Sequence, residues 1–142
     1  MVVSRIFWDT NLFVYLIENQ GRVAQRVADL RARMRERGDQ LVTSAFTLGE
    51  VLVKPIEAER DDLRDAYETA ITAAAAIIPL DRQVAMRYAR IRADRSIKPP
   101  DAIQLACAAH AGVDLFITND ERLSKKHVPG IQFVTSLDRV PL

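Results

Sequence analysis

The feature that most restricts this fold is an alternation of periods. Apolar runs too short to make stable helices recur between longer segments whose apolar residues return every three or four positions. The run from Arg5 through Ile6, Phe7 and Trp8 ends at Asp9, and Gln40–Ser44 carries Leu41 and Val42. Ile77, Ile78 and Leu80 form a brief third run, which Pro79 assigns to a sheet edge or strand end. Leu115, Phe116 and Ile117 form the fourth, and Ile131, Gln132, Phe133 and Val134 the fifth. Between these runs, Thr10 or Asn11 caps a helix through Leu12, Phe13, Leu16 and Ile17, broken at Gly21. Val23, Val27, Leu30 and Met34 predict a helix to Arg37, stopped by Gly38. Ser44 caps a third helix that ends before Pro55, and longer helices are expected over 57–76 and 82–95. Pro99-Pro100-Asp101 opens a helix of small residues, Ala102 through Ala111, closed by Gly112. Strands alternating with helices predict an α/β fold, a short, mostly parallel central sheet flanked by helices, with residues 1–142 as one domain.

Composition removes several function classes. The single cysteine, Cys107, excludes an intramolecular disulfide framework and a cysteine zinc site, and fits a reducing cytoplasm. No apolar run reaches the ~20 residues of a membrane helix. The start, Met1 to Asn11, lacks a basic and then apolar leader, so neither secretion nor membrane attachment is expected. Twenty Lys plus Arg against nineteen Asp plus Glu give a net charge of +1, which argues against a polybasic nucleic-acid coat. The signs are segregated, however. Arg22, Arg26, Arg31, Arg33, Arg35 and Arg37 crowd the second helix, and Arg87, Arg90, Arg92, Arg95 and Lys98 lead into Asp101. An ordinary solvated helix face is one account of each cluster. Within the later one, Arg92, Arg95 and Lys98 are the candidates for gripping substrate phosphates.

The acids beside strand ends carry the chemistry. Asp9 follows the first strand directly, and Glu50 lies on the helix after the second. Asp101 opens the alanine-rich helix, and Asp120 comes two residues after Thr118. All carboxyl ends of a parallel sheet face one side, and ligand crevices form there. Asp9, Glu50 and Asp120 are therefore expected to converge, with Asp101 joining them if its turn opens onto the same edge. Each has apolar neighbours in sequence, so a cluster would suffer repulsion and desolvation unless protonated or bound to cations. Hard oxygen donors suit Mg²⁺ or Mn²⁺. Such an ion polarises a phosphoryl oxygen and acidifies water without a histidine base. Asn11, Ser44, Thr47 and Thr118 are the expected orienting donors. Taken singly, Asp9 and Asp101 read as helix caps, Asp120 as a turn residue and Glu50 as solvated. Together they favour a site, because four unrelated caps need not share one edge.

Ile6-Phe7-Trp8-Asp9-Thr10-Asn11, Glu50, Pro100-Asp101-Ala102-Ile103 and Ile117-Thr118-Asn119-Asp120 occur in an order that resembles the PIN-domain ribonucleases. More narrowly, the chain resembles the VapC-type toxin of VapBC toxin–antitoxin systems, from its first strand to its last. The resemblance implies a PIN-like nuclease domain acting as a Mg²⁺- or Mn²⁺-dependent endoribonuclease, the toxin of a type II module. Asp9, Glu50, Asp101 and Asp120 match the acidic metal site; Asn11, Thr118 and Thr10 match supporting polar positions, and Asn119 is able to share the fourth acid's role. The resemblance further implies a homodimer silenced by a small antitoxin, for which Phe13, Leu16 and Leu52 are candidate contacts.

Two other readings compete. A haloacid-dehalogenase-like phosphatase also places an Asp after its first strand, but its general acid two residues later is here Asn11, and its lysine has no obvious counterpart. A non-catalytic module of the same fold would bind RNA or protein without cutting, against which the intact acid set counts. His110 and His127 lie away from the acid elements; Cys107 reads as a small buried residue and Trp8 as core.

Overall fold

The computed structural model describes residues 3–19 and 21–142; Met1 and Val2, part of the stretch expected to lack a leader, and Gln20 lie outside them. Among the described residues five strands, β1 (Arg5–Trp8), β2 (Gln40–Ser44), β3 (Ala76–Ile78), β4 (Leu115–Thr118) and β5 (Phe133–Ser136), form one sheet in the order β3-β2-β1-β4-β5. Every pairing is parallel, so the expected mostly parallel sheet is wholly so. Six helices cover it: α1 (Thr10–Glu18), α2 (Gly21–Arg37), α3 (Ala45–Glu57), α4 (Asp61–Ala74), α5 (Arg82–Ile91) and α6 (Pro99–Ala111).

A parallel sheet covered on both faces needs apolar residues at successive strand positions. In β1, Ile6, Phe7 and Trp8 are each fully buried, and their side chains alternate between two layers. Phe7 packs with Val42, Phe116 and the α6 residues Ala102, Leu105 and Ala106. Ile6 and Trp8 pack with Leu12, Val27, Met34 and Ile71 on the other side. Phe7 stacks on Phe116 with centroids 5.0 Å apart, and Trp8 meets Phe13 at 5.2 Å. The alanine run thus lets α6 lie close under the sheet centre, with Cys107 fully buried and its thiol pushed up to about 11 by that burial. Among the described residues no helix is long and apolar enough to cross a membrane.

Several boundaries differ from the sequence expectation. α3 does not stop before Pro55 but continues to Glu57. Proline removes one ladder donor near the last turn. The chain closes beyond it through Ala58 N–H to the Lys54 carbonyl and Arg60 N–H to the Pro55 carbonyl. The helix expected over 57–76 is divided, because Glu59 is left-handed (φ 54°) and α4 starts anew at Asp61 with two acids in its first turn. β3 is Ala76–Ile78, with Leu80 exposed beyond Pro79, and it does sit at an edge. α5 ends at Ile91, where Asp94 accepts hydrogen bonds from the Ser96 N–H and hydroxyl and turns the chain. β5 begins at Phe133; Ile131 is buried before the strand, against the α6 side of the core.

Candidate active site

Asp9 leaves β1 in extended conformation and caps α1, so the cap reading holds in part. Its Oδ1 accepts the Thr10 N–H at 2.8 Å, and its Oδ2 accepts the Thr118 hydroxyl at 3.0 Å. Only 8% of the residue is exposed. Burial pushes its carboxyl up to about 6, against the pull of those hydrogen bonds, and the negative charge of Asp101 adds to the rise. Asp101, half-buried in the first turn of α6, is also raised, first by burial and then by the charge of Asp120. Lys98 and Arg122 oppose that rise, while Glu50 adds to it. The four acids, from the β1–α1 junction, α3, α6 and the segment after β4, therefore share one electrostatic neighbourhood at the carboxyl edge of the sheet.

They do not form a closed cage. Among the described residues no three His, Cys, Asp or Glu side chains stand close enough to hold a metal ion as placed. Glu50 is exposed, and its Oε1 accepts the Thr10 hydroxyl at 2.6 Å. Asp120 turns its Oδ1 to the Arg122 N–H at 2.9 Å, with the Arg122 Nε 3.6 Å away. The arrangement is looser than the convergence expected from the sequence, because two of the acids face partners of their own. The donor set still suits a hard divalent cation: carboxylate oxygens only, two of them raised by burial and mutual repulsion.

A buried polar lattice supports the edge. Thr118 joins two of the acids, donating to Asp9 while its Oγ accepts the Asp120 N–H at 3.1 Å. Thr10 meets Glu50 and lies 3.2 Å from the Thr47 hydroxyl. Ser44 caps α3 through the Thr47 N–H rather than touching an acid. At the centre stands Gln104, only 2% exposed, which the sequence reading missed. Its amide nitrogen lies 2.6 Å from the Thr47 hydroxyl, 3.0 Å from that of Thr10 and 3.4 Å from Asp9 Oδ1. Its oxygen accepts the Ser44 hydroxyl. The signal was present: Gln104 is the one polar side chain between Ala102 and Ala109, and it lies three positions after Asp101 on the same helix face.

Other candidates are placed elsewhere. Asn11 is exposed and, among the described residues, makes no side-chain hydrogen bond to an acid. Asn119 donates to the Tyr15 hydroxyl at 2.8 Å instead of standing in for Asp120. Arg92 folds back to donate to the Ile97 carbonyl at 2.7 Å, bracing the turn after α5. A cavity of about 370 Å³ contains Asp101 and Asp120 with Lys98, Arg122, Lys125 and Lys126 on its walls. Lys98 is thus where it was expected, whereas Arg95, although exposed, does not line this cavity.

The model of the PIN domain family matches residues 6–128, a span that includes all four acids. The chain belongs to the PIN-domain family. Ribonuclease VapC23 of Mycobacterium tuberculosis (strain ATCC 25618 / H37Rv) is 28% identical over 121 residues, covering 84% of this PIN domain chain and 95% of that protein. Among solved structures, the DNA-bound VapBC from Salmonella typhimurium superposes with a TM-score of 0.73 at 19% identity, covering 95% of this chain and 99% of that one. A toxin–antitoxin complex from Klebsiella pneumoniae gives 0.67 at 24% identity, covering 89% and 94%. At these identities the two structures attest the PIN fold.

Proposed function

We propose that residues 1–142 form a metal-dependent endoribonuclease, the toxin half of a type II toxin–antitoxin pair. The observation that carries this reading is the buried Asp9 carboxylate, raised by desolvation and facing the charge of Asp101 at the carboxyl edge. Family membership and the ribonuclease relative supply the reaction class. Asp9, Glu50, Asp101 and Asp120 would hold Mg²⁺ or Mn²⁺, hard ions suited to oxygen donors. When bound, the ion supplies Lewis-acid polarisation of a phosphodiester and an acidified water, so no histidine base is required. Thr118 and the Thr10 N–H fix Asp9, the Thr10 hydroxyl aims Glu50, and Gln104 ties the threonines together. Neither His110 nor His127 lines the cavity of Asp101 and Asp120.

The partners follow from the same reading: RNA as substrate, a cognate antitoxin protein, and a second copy of the chain, in the cytoplasm. Leu16 is exposed on α1 and Leu52 half-buried on α3, both open to a partner, whereas Phe13 is spent in the core against Trp8. The test is cleavage of labelled structured RNA by the partner-free protein, with Mg²⁺, with EDTA, and in Asp9→Asn and Asp101→Asn. We expect cleavage only with metal and a fall of ~100-fold or more in each variant. Persistence in EDTA or in both variants overturns the mechanism. Binding without cutting favours the non-catalytic module, and activity only on a phosphomonoester favours the phosphatase.

A further inference from the structure

Two cavities meet at Lys126, which lines both. One holds Asp101 and Asp120. The other, about 320 Å³, has apolar walls from Ile91, Ile97, Val128 and Pro129, with Arg87 and Arg90 beside them. Lys126 is a strut between the two, its Nζ donating to Asp94 at 3.1 Å and to Ser96 at 2.6 Å across the turn after α5. Lys98, Arg122 and Lys125 are exposed around the first cavity. Among the described residues Lys98 and Lys125 form no salt bridge, Lys98 standing only within the field of Asp101, and the Arg122 side chain is 82% exposed despite its contact with Asp120. Exposed cations of this kind add little to stability, so their placement beside an acidic pocket calls for an anion.

We propose that the paired cavities are a track for single-stranded RNA. One backbone phosphate next to the scissile bond sits among Lys98, Arg122 and Lys125, and the base of a neighbouring nucleotide enters the apolar cavity beside Arg87 and Arg90. The assignment rests on the ribonuclease reading and names the substrate contacts of that site. Charge and continuity support it: cations border the acids, and Lys126 lines both the acidic and the apolar cavity. Its volume lies at the small end of ligand pockets, which suits a single base. Guanidinium planes offer a surface on which any base stacks, so the cavity requires an unpaired nucleotide without fixing its sequence. The track keeps Lys98 among the expected phosphate contacts and adds Arg122 and Lys125, whereas Arg92 and Arg95 do not line either cavity.

The test is fluorescence anisotropy of labelled twelve-residue oligo(A) and of an abasic ribose-phosphate oligomer of equal length, in EDTA to prevent cleavage. Lys98→Ala/Lys125→Ala should weaken both oligomers alike and flatten the dependence of log K on log salt by roughly 0.7, the share of one phosphate. Arg87→Ala/Arg90→Ala should weaken oligo(A) about tenfold and the abasic oligomer much less. Thermal melts matching the parent verify folding of these surface variants. Affinities within twofold of the parent, or equal losses for both oligomers in the arginine pair, overturn the track. Competition by polyglutamate as effective as by RNA, lost in the same variants, would assign the cavities to an acidic peptide instead. RNA cleavage by the parent with Mn²⁺, run in parallel, separates the two failures. If the parent cuts RNA while the variants bind normally, only the track falls; if it neither cuts nor binds RNA, the functional reading falls with it.

Discussion

Replacing Asp9 by Asn should stabilise the metal-free protein at neutral pH, although it removes a proposed catalytic group. Asp9 is 8% exposed and its carboxyl is pushed up to about 6, against ~3.9 for an unperturbed aspartate. The native state therefore holds the proton more tightly than the unfolded chain. Between those two values the wild type loses stability as pH rises, and the loss is complete above the folded value. About two units at ~1.4 kcal/mol each place the cost near 3 kcal/mol at pH 7.5. Asparagine avoids the buried charge, and its Oδ1 still accepts the Thr10 N–H. Its amide nitrogen must face the Thr118 hydroxyl, whose oxygen already accepts the Asp120 N–H, so about 1 kcal/mol is given back. The net gain is ~2 kcal/mol, or roughly 4–8 °C in Tm for a domain of this size. Urea denaturation in EDTA at pH 7.5 and pH 4 measures it. The gain should vanish at pH 4, where wild-type Asp9 is largely protonated, and the weaker hydrogen bonding of asparagine should leave the variant equal to or slightly less stable than wild type. A destabilised variant at pH 7.5, or a gain equal at both pH values, would show that Asp9 carries no buried-charge cost.

Gln104→Met keeps the volume and removes the amide lattice, including contacts to the hydroxyls of Thr47, Thr10 and Ser44. A loss of about 2–3 kcal/mol in urea denaturation is expected, with RNA cleavage falling further than Tm explains; stability unchanged from wild type contradicts the lattice. Gly130 has φ +96°, and an added Cβ would stand 3.0 Å from the Ala109 carbonyl oxygen. Gly130→Ala should therefore cost about 1–3 kcal/mol, read by thermal melting, with cleavage at 25 °C retained. Because Asp101 is raised in part by Asp120 and Glu50, Asp120→Asn should lower the Asp101 pKa, as followed by carboxyl NMR shifts across a pH titration; an unmoved titration would separate the two acids.

The fold was legible where the pattern is physical and local. Ile6-Phe7-Trp8 and Leu115-Phe116-Ile117 are too short and apolar to be anything but strands buried on both faces, and they proved to be neighbours. The four acids were legible because parallel strands force their carboxyl ends to one edge. Pro55 misled because one lost donor near the end of α3 is tolerable when the next turn closes beyond it. Clustering in sequence does not set direction: Arg92 turns back to a carbonyl, while Arg122 and Lys125 flank Asp101 and Asp120. Gln104 was missed because a polar residue in an alanine run invites a surface reading, whereas tertiary packing made that face the interior.

The proposed function requires these carboxylates, loose as they stand, to be a divalent-cation site. Mn²⁺ binding to the RNA-free protein, followed by the electron paramagnetic resonance of the free ion at pH 7.5, tests it most directly. Saturable binding by the wild type is expected, with affinity reduced ~10-fold or more in Asp9→Asn and in Asp101→Asn. Binding that is absent from the folded wild type, or equal in all three proteins, would contradict it.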